Sequence, residues 1–310
     1  MPKPILVGFD PRTADRAPVD FGLAAARFTG ASLVVGSVCA GRIPGRPTGQ
    51  VEEDLAEEAA AALEQLQREL ETDEVAVTYR ELQGTSAARA LHEAAEQQDA
   101  GLLVVGSTRR AALGRLLPGS TADRLMHGAP CPIAVIPTGW QPRGSLTTIG
   151  VAYVDTPEGR EALRGAHALA NRAAAALRVL IVAKVDLGVY GETEPQLAGQ
   201  RGKEASEVEG EHRVLAERAA RAAVAELEGD VEVQVDAFLE DPAESLIRVS
   251  EHLDLLVCGS RGYGPLRAVL LGGVSRRVAA EAHCPVIVLP RGVEAALEAL
   301  VTATPGTTVA

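Results

Sequence analysis

The chain has 310 residues, room for two domains of ordinary size or one large one, and with 46% hydrophobic and 23% charged residues its composition is that of a folded protein. Acidic residues outnumber basic ones by 42 to 30, a net charge of -12, so the surface repels phosphate backbones and anionic membranes, and aromatics at 3% are too few for a base-stacking platform or a ring-lined carbohydrate cleft. No apolar run reaches the roughly 18 residues a membrane span needs, the first ten residues carry no secretory pattern, and Cys39, Cys131, Cys258 and Cys284 never form a Cys-x-x-Cys pair; a cytoplasmic protein without zinc, disulfides, nucleic-acid partner or membrane is expected.

In chain order, short apolar runs alternate with stretches of helical periodicity. Strands are expected at 5–9, 33–38, 75–79, 102–105 and 133–136, with helices between them at 14–28, 52–71, 87–97 and 122–126. Thr13, Ser86 and Ser120 stand where N-caps would. Residues 138–145, rich in Gly and Pro, read as a linker. The order then repeats, with strands expected at 149–153, 179–183, 231–238, 255–258 and 286–289. Residues 187–209 show no apolar periodicity and read as a loop leading into a helix, and 292–310 as a short helical piece with a loose tail. Runs without alternation fit strands covered on both faces, which is the pattern of a parallel sheet between layers of helices.

The two halves also repeat in sequence. Leu102-Leu103-Val104-Val105-Gly106-Ser107 returns as Leu255-Leu256-Val257-Cys258-Gly259-Ser260, and the Cys131-Pro132 strand returns as the Cys284-Pro285 strand, both at an offset of 153. The opening run Ile5-Leu6-Val7-Gly8-Phe9 answers Ile149-Gly150-Val151-Ala152-Tyr153.

Open parallel sheets bind ligands beyond the carboxyl ends of their strands, where the crossover direction switches. The first strand ends in Asp10. The fourth ends in Gly106-Ser107-Thr108-Arg109, followed by nine residues and then Gly119-Ser120 opening a helix. In the second half the counterpart is Gly259-Ser260-Arg261-Gly262, nine residues, then Gly272-Gly273-Val274-Ser275. Glycines let backbone approach a phosphate, helix-start N–H groups favour anions, and a carboxylate accepts hydrogen bonds from a ribose or base.

With Ile5-Leu6-Val7-Gly8-Phe9-Asp10, the G-x-x-G, nine residues, G-[S/T] loop and the closing Cys-Pro strand all in order and all doubled, the chain resembles a tandem universal stress protein. The expected domains are 1–137 and 146–291, with a C-terminal extension at 292–310. The resemblance implies two α/β, Rossmann-like domains, each a five-stranded parallel sheet of order 3-2-1-4-5 with helices on both faces. It also implies adenine nucleotide, usually ATP with or without Mg, held by that loop in some members, and a role in survival under stress or growth arrest through an unknown protein partner.

Both halves depart from the pattern. Arg109 takes the place of the second glycine in the first half. In the second, Val154 stands at the Asp10 position with Asp155 one residue on, and Gly273 replaces Ser120, with Ser275 two residues later. A one-residue shift at a strand end turns a side chain to another face, so Asp155 is not credited with the missing role. The candidate nucleotide residues are therefore Asp10, Gly106, Arg109, Gly119 and Ser120 in the stronger first half, and Gly259, Gly262, Gly272 and Ser275 in the second. For Arg109 two readings stand, a guanidinium that pairs with phosphate or one that fills the site. No catalytic residue is assigned: there is no Gly-Lys-Ser/Thr closing the loop, no nucleophile elbow and no histidine at metal-ligand spacing, so slow ATP hydrolysis is the most that is expected. The alternative is a scaffold that keeps the fold and binds proteins without nucleotide. Since strands 133–136 and 286–289 are apolar edges bracketed by prolines, the halves are expected to pair through them, with a further homodimer left open.

Overall fold

The structure is a computed structural model that describes residues 2–13, 15–40, 50–70, 72, 74–107, 121–182, 198–238, 241–259, 273–290 and 296–302. The first half runs β1 (Ile5–Phe9), α1 (Ala17–Thr29), β2 (Leu33–Ala40), α2 (Gln50–Glu69), β3 (Val77–Gly84), α3 (Ala87–Gln97), β4 (Leu102–Gly106), α4 (Thr121–Met126) and β5 (Ile133–Ile136). The second runs β6 (Thr148–Tyr153), α5 (Pro157–Ala173), β7 (Ala176–Val182), α6 (Ala198–Ala225), β8 (Val233–Phe238), α7 (Pro242–Val249), β9 (Leu255–Gly259), α8 (Gly273–Glu281) and β10 (Val286–Leu289), and α9 (Ala296–Thr302) follows.

Helix starts follow their local chemistry. Ser86 accepts a hydrogen bond from the Arg89 N–H at α3, Thr156 from Gly159 at α5, and Asp241 from Ala243 and Glu244 at α7; proline opens α5 and α7 where no N–H is needed. Thr13 does not cap α1, because its hydroxyl donates to the Asp10 carbonyl and the Asp15 carboxylate accepts from Ala17 N–H instead.

Each half has the order 3-2-1-4-5, and the two sheets join into one of ten strands, β3-β2-β1-β4-β5-β10-β9-β6-β7-β8. At the join β5 and β10 run antiparallel, with Ile287 opposite Ala134, while all other neighbours are parallel. The expected pairing through the last strands is what the sheet shows. It buries both strands and turns two apolar edges into a seam.

Alternation along the central strands feeds two cores. Leu102, Val104, Ala134, Ile136 and Ile287 face the layer with α1, α2, α5, α6 and α9; Leu103, Val105, Ile133, Val135 and Val286 face the layer with α3, α4, α7 and α8. Both cores cross the seam. On the second face Arg276 of α8 reaches Asp123 of α4 at 3.1 Å. On the first, Arg172 in the last turn of α5 donates to the carbonyls of Phe28 and Val301, so one guanidinium ties α5 to the ends of α1 and α9.

The outer strands depart from the expected pattern. β3 runs later than the apolar run at 75–79, and its exposure alternates, because an edge strand has one side and much of one face in water. Part of the expected 187–209 loop is helical, since α6 already begins at Ala198; 183–197 lie outside the described residues. The linker is also anchored: Gly139 N–H donates to Asp15 at 3.2 Å, and the Trp140 ring meets Phe21 edge-on with centroids 5.6 Å apart.

Candidate nucleotide site

The crossover from β1 leads one way, to β2, while β4 lies on its other side, so the ends of β1 and β4 flank the switch point of the first half. Asp10 follows β1 directly. Its carboxylate is gripped by Arg12, with Nε donating to Oδ1 and Nη2 to Oδ2, both at 2.9 Å, and the Arg12 N–H also donates to Oδ1 at 3.1 Å. These side-chain bonds hold the Asp10 carboxyl below the usual carboxylate range, against the opposing effect of burial. Asp10 is therefore an ionised acceptor at the strand end, engaged by its own neighbour.

Gly106 ends β4 in a tight place. A Cβ there would lie 3.2 Å from the Pro18 ring of α1, so a small residue lets α1 approach the strand end. The next residue, Ser107, donates its N–H to the Ile136 carbonyl, and its own carbonyl accepts from the Thr138 hydroxyl. Its side-chain hydroxyl is buried and has no partner among the described residues. The same holds for Ser37 on β2, in register with Phe9. Buried hydroxyls normally find partners, so the Ser107 hydroxyl just past β4 marks a place where a polar ligand would supply a hydrogen bond, while Ser37, alternating with Val34 and Gly36, lies on the other face of the sheet. Asp10 and Ser107, at the ends of neighbouring strands, offer an acceptor and a hydroxyl suited to a ribose or a base edge. Arg109, Gly119 and Ser120 lie outside the described residues.

The second half is built differently at the same place. Seven residues connect β1 to α1, but only three connect β6 to α5. The short connection brings α5 down onto the strand end, where a Cβ on Gly159 would lie 1.9 Å from the Val154 carbonyl oxygen. Asp155 accepts from the Tyr153 hydroxyl at 3.2 Å and pairs with Arg160 at 2.9 Å. Burial first, and then the adjacent Asp155 charge, push the Tyr153 phenol up to about 12. Ser275 is buried in the first turn of α8, and its hydroxyl donates to the Gly259 carbonyl at 3.1 Å, tying the helix to the end of β9. Gly262 and Gly272 lie outside the described residues. Among the described residues no three His, Cys, Asp or Glu side chains gather to hold a metal ion, and no helix is long and apolar enough to cross a membrane.

Sequence reasoning singled out Asp10, Gly106, Gly259 and Ser275, which sit at strand ends or at the helix beside them. It missed Arg12 and the hydroxyl of Ser107. Nothing in a Ser or Arg near a strand end signals such a role; only burial without a partner, or the closed fork, reveals it.

The family model for the universal stress protein family matches the chain twice, over residues 1–137 and 146–290. A universal stress protein of Mycolicibacterium smegmatis is 31% identical over 295 residues, covering 92% of this chain and 96% of that one. One from Mycobacterium tuberculosis strain H37Rv is 30% identical over 239 residues, covering 75% of this chain and 79% of its own. Among solved structures, a universal stress protein of Archaeoglobus fulgidus superposes with a TM-score of 0.64 at 17% identity over 94% of this chain and 97% of its own.

Proposed function

Since this chain belongs to the universal stress protein family, with two copies of its domain in tandem, we propose that it is an adenine-nucleotide-binding regulator of survival under stress or growth arrest, acting in the cytoplasm. ATP, with or without Mg, is the proposed ligand. The observation that carries this reading is Asp10 at the switch point, with the unpartnered buried hydroxyl of Ser107 just past the neighbouring strand β4. Asp10 would take hydrogen bonds from the ribose or base once Arg12 lets go. Gly106, Gly119 and Ser120 would admit and bond the phosphates, and Arg109 would pair with a phosphate oxygen.

The first half is the proposed tighter site. In the second, Val154 offers no carboxylate, Asp155 is taken by Tyr153 and Arg160, and Ser275 is committed to the Gly259 carbonyl. Gly259, Gly262 and Gly272 remain there as a weaker phosphate loop. The proposed role is binding, and occupancy would act through conformation or through contacts with a protein partner.

One observation favours the scaffold reading as the alternative: the Arg12 fork already satisfies Asp10 without any ligand. Mass spectrometry of the denatured, purified protein after incubation with ATP and gel filtration separates the two. Adenine nucleotide retained at about one per chain supports the regulator, and none retained supports the scaffold.

A further inference from the structure

Away from the strand ends, a cavity of about 580 Å³ lies between α1 and α5 at the seam of the two halves. Its sheet wall is Leu102, Leu255 and Ile287. The helices contribute Phe21 and Phe28 from α1 and Leu169 from α5, and the linker adds Trp140 and α9 adds Leu297 and Leu300. The space exists because the helices present small side chains there, Ala24 and Ala25 on α1 and Ala173 on α5. Its volume falls within the roughly 300–1,000 Å³ of small-molecule sites, which favour domain interfaces.

Two features give the occupant its chemistry. The chain has only four Phe, four Tyr and one Trp, yet two of the Phe and the Trp line this one space. The charged groups at its rim are mostly spent. Asp254 accepts from the N–H and hydroxyl of Thr147 and the N–H of Thr148, Glu251 faces His283 at 3.5 Å, and Arg172 donates to the Phe28 and Val301 carbonyls. Arg143 in the linker is exposed; against the effect of burial, and with the Thr147 and Thr148 bonds, its charge helps hold the Asp254 carboxyl below the usual range, but among the described residues no hydrogen bond ties it down.

We infer that this interdomain cavity binds a flat, apolar small molecule carrying one acidic group, its rings against Phe21, Phe28 and Trp140 and its anion on Arg143. Aromatic walls match flat apolar faces, and the exposed Arg143 guanidinium, whose neighbour Asp254 is already hydrogen-bonded by Thr147 and Thr148, has donors left for a carboxylate or sulfonate. Binding there would set the angle between α1 and α5, and so report on the two halves together. The inference does not rest on nucleotide binding.

Trp140 is the single tryptophan, so its emission reads the site directly. The full chain is titrated with anilinonaphthalene sulfonate, a flat aromatic anion, and with N-phenylnaphthylamine, its uncharged analogue. Energy transfer from Trp140 at about one probe per chain is expected for both. Ala25→Leu and Ala173→Leu, which fill the space from opposite helices, are each expected to weaken both probes about tenfold. Arg143→Gln is expected to weaken the anionic probe about fivefold and leave the uncharged one unchanged. Circular dichroism identifies any variant that fails to fold, and the remaining variants then decide. Absence of transfer from Trp140, displacement of the probe by ATP, or affinity unchanged in the leucine variants overturns the site. Equal effects of Arg143→Gln on both probes overturn the acidic head group. Binding that appears only after removal of residues 303–310 makes the chain's own C terminus the occupant and overturns the small-molecule assignment.

Discussion

Arg12→Ala is expected to tighten ATP binding, because the Asp10 carboxylate must leave Arg12 before it can meet a ligand. The fork has both side-chain distances at 2.9 Å, but the side chains are 74% and 42% exposed. Exposed pairs contribute about 0.2–1 kcal/mol, and a two-bond fork sits near the top of that range. At about 1.4 kcal/mol per tenfold, removing the fork strengthens binding by up to about fivefold. Asp10→Ala works the other way: losing a hydrogen bond to a charged group costs about 1.5–3 kcal/mol, or roughly 10- to 150-fold. Isothermal titration calorimetry on the wild type and both variants measures this. A marked weakening in Arg12→Ala would refute the reasoning, since Arg12 would then be a ligand to the phosphates and not a competitor for Asp10.

Other consequences follow from single contacts. Gly159→Ala places a methyl against the Val154 carbonyl oxygen, with 1.9 Å between them before relaxation, and is expected to cost about 3 kcal/mol in urea unfolding, whereas a cost near zero contradicts the close approach. His167 is buried in α5, which lowers its pKa against the pull of Glu298, so the unfolded chain takes up this proton first; stability is full above the ordinary histidine value and falls as pH drops through it. Melting temperatures followed from about pH 7.5 to about pH 5 should decline less steeply in His167→Gln than in the wild type. With one sheet, two shared cores and the Arg172 and Arg276 ties, the two halves are expected to melt as a unit, with a van't Hoff to calorimetric enthalpy ratio of about one; two resolved transitions would show the seam to be weak.

The central strands were legible because burial on both faces leaves an unbroken apolar run, as in Ile5–Phe9 or Val286–Leu289. The repeat made the two halves and their pairing legible, since each ends in the same proline-bracketed apolar strand. The same criterion misplaced β3: Arg80, Glu81 and Gln83 interrupt the run, yet their backbone pairs with β2 in register. It also missed the start of α6, where a polar stretch is helical without an apolar face to announce it. Among the candidate residues, Asp10 and Gly106 were singled out from position in the chain, while the Arg12 fork was not. Whether a nearby arginine folds back onto a carboxylate depends on the turn between them, here closed by the Thr13 N–H and hydroxyl on the Asp10 carbonyl. The departure of the second half was legible as Val154 at the Asp10 position, but the connection short enough to bring α5 onto the strand end was not.

The proposed adenine-nucleotide site lies at the end of β1 and is stronger in the first half than its counterpart in the second. Calorimetric titration of the whole chain with ATP tests this most directly when the wild type is compared with Asp10→Ala and Ser275→Ala. One tight site per chain is expected, weakened at least about tenfold by Asp10→Ala and left nearly unchanged by Ser275→Ala. Two equal sites, a site abolished by Ser275→Ala alone, or no heat of binding at millimolar ATP would contradict it.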